Sequence, residues 1–117
     1  MAHHLEALYV LQFGDVALGG HYRPGGVIVL KSNHVFGGDS GHYYVGTYTV
    51  EAESLTVDAK IVKHDPTAGN PFGDTSASFE VDARLMLGEK TMEGTMERRD
   101  RPGLQLPLRL IWKEDLP

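Results

Sequence analysis

Residues 79–87 read FEVDARLML, and the alternation in that stretch decides the fold. Phe79, Val81, Ala83, Leu85 and Leu87 fall on one side of an extended chain, Glu80, Asp82 and Arg84 on the other. Successive side chains of a β-strand point to opposite faces, so this pattern describes a strand with one face in a core and one in water. Working outward, residues 55–64, LTVDAKIVKH, place Leu55, Val57, Ala59 and Ile61 inside. Residues 104–112, LQLPLRLIW, do the same with Leu104, Leu106, Leu108, Leu110 and Trp112. Half-buried strands of this kind belong to antiparallel sheets.

Further strands are expected at Leu8–Phe13, Gly26–Lys31, Tyr43–Val50 and Thr91–Glu97, with a short one around Val16–Tyr22. Turns separate them at KSNHV (31–35), EAES (51–54) and LGEKTM (87–92), and no segment has a sustained helical period. The longest irregular stretch, HDPTAGNPFGDTS (64–76), carries Pro66, Pro71, Gly69 and Gly73, which suit a surface loop. Phe72 in that loop is expected either to plug it or to stand out as a contact for a partner.

A chain of 117 residues forms one domain, spanning 1–117. Seven or eight strands sharing one core are best closed on themselves, since an open sheet leaves two edges and a bare apolar face. The expected fold class is therefore all-β, a single small antiparallel eight-stranded barrel. Such a barrel is filled by its own side chains or holds one small ligand. Bulky inward residues, Tyr44, Tyr48, Phe79, Met92, Met96 and Trp112, predict a filled interior. The small inward positions Gly46, Ala59, Ala83 and Gly94 keep a small-ligand carrier as the alternative.

With a net charge of −5, and Lys and Arg scattered apart from Arg98, Arg99 and Arg101, the basic stripe of a nucleic-acid binder is missing and no direct binding to nucleic acid is expected. There is no cysteine, hence no disulfide or thiolate metal site. MAHHLEALYV lacks the pattern of a signal peptide, and no apolar run approaches the roughly twenty residues of a membrane helix. A soluble cytoplasmic protein is expected.

Residues 37–48, GGDSGHYYVGTY, contain Gly38-Asp39-Ser40-Gly41, the tetrapeptide that surrounds the nucleophile of trypsin-like proteases. Those enzymes seat their triad between two barrels, and this chain has material for one. A tetrapeptide also does not make a triad, which is defined by geometry. The glycines resemble an anion nest, but no Lys and no helix follow, as a phosphate loop requires. The reading that explains most is a turn: glycines for the bend, Asp39 and Ser40 to bond nearby amides. The histidines form no metal-ligand spacing, and His34 and His42 are expected to be exposed beside the turn. Asp58 with Asp82, and Glu93 with Glu97, are solvated strand-face charges, not an acid–base pair. Glu51 and Glu53, at the tip between two long strands, are placed to meet a basic partner. No catalytic residue, metal or cofactor is assigned.

The stretch VFGGDSGHYYVGTYTVEAESLTVDAKIVKH (35–64) resembles the GrlR-like family of small bacterial proteins. LYVLQF (8–13), GGVIVL (25–30), NPFG (70–73) and GLQLPLRL (103–110) extend the resemblance over Leu8 to Trp112. It implies a lipocalin-like eight-stranded barrel, found as a dimer. Characterised members are negative regulators of type III secretion that hold a transcriptional activator away from its promoter. No enzyme activity and no obligatory cofactor are implied. The characterised regulator has a run of four acidic residues in an exposed turn, implicated in recognising the activator. Its counterpart by position is Glu51-Ala52-Glu53-Ser54, with half the charge. The expected partner-binding residues are Glu51 and Glu53, or an apolar strip near Phe72.

Overall fold

The computed structural model describes residues 5–15, 21–68 and 77–117. Within them lie eight strands: β1 Ala7–Asp15, β2 His21–Lys31, β3 His34–Gly38, β4 His42–Glu51, β5 Ser54–Lys63, β6 Ser78–Met86, β7 Thr91–Arg98 and β8 Gln105–Asp115. Each pairs antiparallel with its neighbour in sequence, and β8 closes on β1, giving an up-and-down barrel. The radius of gyration, 13.5 Å, matches the ~13 Å of a compact domain of this length. Among the described residues there is no helix long and apolar enough to cross a membrane.

The alternating stretches form β5, β6 and β8. In β6 every odd position is buried and every even one exposed, and Phe79, Val81, Ala83 and Leu85 enter the core. The expected inward residues Tyr44, Tyr48, Met92 and Met96 are buried too, and Trp112 packs half-buried against the core. Boundaries differ at the ends. Leu87 lies beyond β6, where its amide donates to the Glu53 carbonyl (2.8 Å), and Leu104 lies in the loop before β8.

The largest difference is β2. A short strand around Val16–Tyr22 was expected to precede a separate Gly26–Lys31, but His21–Lys31 is one strand running through Pro24. Its partner β1 shifts register between Val10 and Gln12, beside Pro24. That irregularity relieves the ladder of the amide that proline lacks. Residues 16–20 lie outside the described residues, as do 69–76 of the long loop.

Two glycines let the walls come close. A Cβ on Gly46 would sit 2.1 Å from the Asp58 carbonyl oxygen, and one on Gly94 would sit 1.8 Å from that of Arg84. Gly46 therefore marks close backbone approach.

The barrel has two unlike ends. The short turns after β2, β4 and β6 lie with the start of β1 and the end of β8. At the other end β1, β3, β5 and β7 finish and β2, β4, β6 and β8 begin.

Candidate protein-binding surfaces

At the long-loop end, Asp39 organises the glycine-rich turn. The amides of Gly41 and His42 donate to its Oδ1 at 2.8 Å each, and the Tyr44 hydroxyl donates to Oδ2. Burial raises the carboxyl pKa, but the bonds from Tyr44, Gly41 and His42 outweigh it and hold Asp39 below its ordinary value. Burial and the neighbouring carboxylate push Tyr44 well above a normal phenol. The β5–β6 connection is tied to the same turn, because the His64 amide donates to the Gly41 carbonyl at 2.8 Å. Ser40 is exposed at the tip. The tetrapeptide is thus a turn clamp, made for conformation by the Asp39 carboxylate.

His42 differs from expectation. It is the first residue of β4 with the inward parity of Tyr44, and it is only 4% exposed. Its Nδ1 lies 3.6 Å from Asp39 Oδ1, and its Nε2 has no hydrogen-bond partner. His34 is exposed as expected and stacks on Phe36, with ring centres 6.0 Å apart. The two histidines stand at opposite ends of the β3–β4 ladder. No metal-binding cluster occurs among the described residues.

Arg98 and Arg99 look like part of a basic cluster in sequence, but strand alternation separates them. Arg98 is 1% exposed, its guanidinium lies 4.4 Å from the Phe79 ring centre, and it donates to both Asp100 oxygens (2.9 and 2.7 Å). Arg99 reaches back over the outside of β6 to Asp58 (2.7 Å), Asp82 (2.8 Å) and Glu80 (3.5 Å). Asp58 and Asp82 are direct cross-strand partners, so Arg99 neutralises a pair that would otherwise repel. Its hydrogen bond holds the Asp82 carboxyl below the usual range.

The interior is filled. The cavity within it is about 50 Å³, lined by apolar side chains that include Leu11, Phe13, Ile28, Ala59, Ala83 and Leu108. An apolar void must be roughly 150 Å³ to take even benzene. At Gly46 and Gly94 the neighbouring strand fills the space a side chain would take, and the cavity that Ala59 and Ala83 line is too small for a ligand, so the interior does not favour the carrier reading.

Glu51 and Glu53 lie where the sequence places them, exposed at the β4–β5 turn. What surrounds them was not legible. Among the described residues, carboxylates along the wall are engaged: Asp58, Glu80 and Asp82 by Arg99, Glu93 by Arg109 (3.1 Å), Glu97 by the Gly103 amide (2.7 Å). Glu51, Glu53, Glu89, Glu114 and Asp115 have no such partner, and all five stand at the short-turn end. Exposed apolar groups lie beside them, Val50 at 44% and Met86 at 56%, with Met86 Sδ 3.8 Å from Ser54 Oγ. Phe72 lies outside the described residues. β5 ends and β6 begins at the end of the barrel opposite Glu51 and Glu53.

Neither a protein-family model nor a curated protein matches the chain.

Sequence reasoning missed a second surface. Val27, Phe36, Tyr43 and Val45 are outward-facing and exposed on β2, β3 and β4. The signal was present in VIVL (27–30) and in YYV (43–45), where apolar residues run without alternation. A strand apolar on both sides predicts that both sides are covered.

Proposed function

We propose that this chain is a non-enzymatic regulatory binding protein, cytoplasmic and homodimeric, that sequesters a transcriptional activator as negative regulators of type III secretion in the GrlR-like family do. The observation that carries the reading is the sorting of carboxylates, engaged along the wall and, apart from Glu6, which accepts the Ser32 amide, unpartnered at the short-turn end around Glu51 and Glu53. Unpaired acidic groups steer a basic partner and set its register, and the exposed Val50 and Met86 beside them supply apolar contact. DNA-binding activators present basic surface to phosphate, and occupying that surface blocks the promoter. The barrel itself makes no contact with nucleic acid or membrane.

The test compares tagged wild-type chain with Glu51→Lys/Glu53→Lys as bait in cytoplasmic extract. The expected result is a stoichiometric basic DNA-binding protein on the wild type, with recovery at least tenfold lower on the variant. Equal recovery on both baits would remove the turn from the proposal.

A further inference from the structure

We infer that the outer face of β2, β3 and β4 is the contact surface between two copies of this chain. The inference deepens the homodimer reading above and rests on it for the existence of a dimer. The assignment of the face comes from the exterior of the barrel alone.

Cross-strand register arranges the face in two adjacent rows. One runs Val29, Phe36, Val45, and the other Val27, Gly38, Tyr43. Leu8 and Val10 of β1 pair with Val29 and Val27, and Val62 of β5 pairs with Tyr43, so apolar surface continues on both sides. Phe36 is 49% and Tyr43 44% exposed. Across these rows only Lys60, beside Val45, carries a full charge. The far wall, on β5 to β7, carries Asp58, Glu80, Asp82, Arg84, Glu93 and Glu97 instead.

Charge and shape together choose the occupant. Between Arg23 and Lys31 toward the ends of β2 and Lys60 at one margin, the centre of this face carries no charge and offers little to a partner recognised electrostatically, so whatever covers it must be largely uncharged and apolar. A second copy meets that condition and, despite a net charge of −5, brings no like charge to the centre of the contact. The relief is also self-complementary. Phe36 projects from β3 as a knob, while Gly38, two residues on and on the same face, leaves a notch between Val27 and Tyr43. A two-fold axis lying in the interface, midway between the Gly37 positions of the two copies and across antiparallel β3 strands, seats each Phe36 in the other copy's notch. Such reciprocity, one residue meeting a second while that second meets the first, defines an isologous interface.

Area agrees. The four most exposed side chains present on the order of 300 Å², already a patch of functional size. The half-exposed Leu8, Val10, Val29 and Val62 extend it toward the roughly 800 Å² per partner of a stable interface.

The experiment measures solution mass by sedimentation velocity for the wild type, Phe36→Lys, Val45→Lys and the control Thr95→Lys on the opposite wall. Circular dichroism melts verify that each variant is folded. Wild type and Thr95→Lys are expected at twice the 12.9 kDa chain mass. Phe36→Lys and Val45→Lys are expected to associate at least tenfold more weakly. Folded Phe36→Lys and Val45→Lys chains that dimerise like wild type would overturn the assignment of the face while leaving a dimer in place. A wild-type chain that stays monomeric at its highest soluble concentration would overturn the dimer as well. Partner capture through Glu51 and Glu53 is read separately, by the pull-down.

Discussion

Asp39 organises the β3–β4 turn. One carboxylate accepts two backbone amides and the Tyr44 hydroxyl, and so joins the β3–β4 turn to the barrel interior. Bonds to a charged group contribute about 1.5–3 kcal/mol, and orphaning the donors costs more than the bonds supply. Asp39→Ala is therefore expected to lower unfolding free energy by about 2–3 kcal/mol in urea titrations. The effect has a pH signature. The folded carboxyl is held below its unfolded value of 3.8, so its contribution is complete above that value. It is lost as pH falls through the folded pKa. The stability difference between wild type and Asp39→Ala should shrink in that acid window. A difference that stayed constant from neutral pH to below the folded pKa would contradict the carboxylate's role.

Elements pack as closely as they do because side chains are omitted where strands coil. Gly94 pairs with Leu85 and Leu108, and a methyl group there would meet the Arg84 carbonyl at 1.8 Å. Backbone cannot yield as a flexible side-chain end can, so β6 and β7 must part. Gly94→Ala is expected to destabilise by about 3 kcal/mol, the upper range for overpacking, with loss of amide exchange protection centred on those strands. Protection lost uniformly around the barrel would place the strain elsewhere. On the outside of the same strands, Arg99 stands against Asp58 and Asp82. Removing it leaves like charges paired across β5 and β6. Arg99→Ala should lower the melting temperature more at low than at high ionic strength, because salt screens exposed charges. An equal loss at both would mean that the guanidinium acts by packing.

At the scale of the whole molecule, the closed barrel turns several tyrosines into sensors of its integrity. Tyr9 is fully buried, its hydroxyl donates to the Leu5 carbonyl at 2.6 Å, and burial with the nearby Tyr48 and Asp115 pushes its pKa up to about 12. Tyr44 is raised as well, by burial and by Asp39. A phenol whose pKa is raised on folding contributes stability that is whole below 10.0, its unfolded value, and is lost as pH rises toward the folded one. Alkaline titration followed at once by phenolate absorbance and circular dichroism should show these rings ionising together with unfolding. Ionisation of every tyrosine near pH 10 in a folded chain would mean that the interior is open to water. The two exterior faces act at this scale too. The acidic end and the apolar wall are different surfaces, so a dimer through Phe36 leaves Glu51 and Glu53 free for a partner.

The architecture was legible because one face of each strand meets water. In FEVDARLML the charges must lie outward, and a period of two then follows for residues 79–86 with no other information. Seven or eight such strands, as expected from the sequence, leave closure as the way to bury one face and remove both edges, although β3 (His34–Gly38) was not among the strands expected. The location of Glu51 and Glu53 at a tip was equally legible, since a two-residue turn between long strands has few alternatives. Tertiary structure alone decided what those carboxylates lack, because pairing of Asp58, Asp82 and Arg99 joins residues distant in sequence. It also decided that His42 is buried and that Arg98 faces inward while Arg99 faces out. Above all it decided that the second apolar face of β2 to β4 remains uncovered. A sequence records how apolar each side of a strand is, and only the closed barrel determines which sides find something to touch.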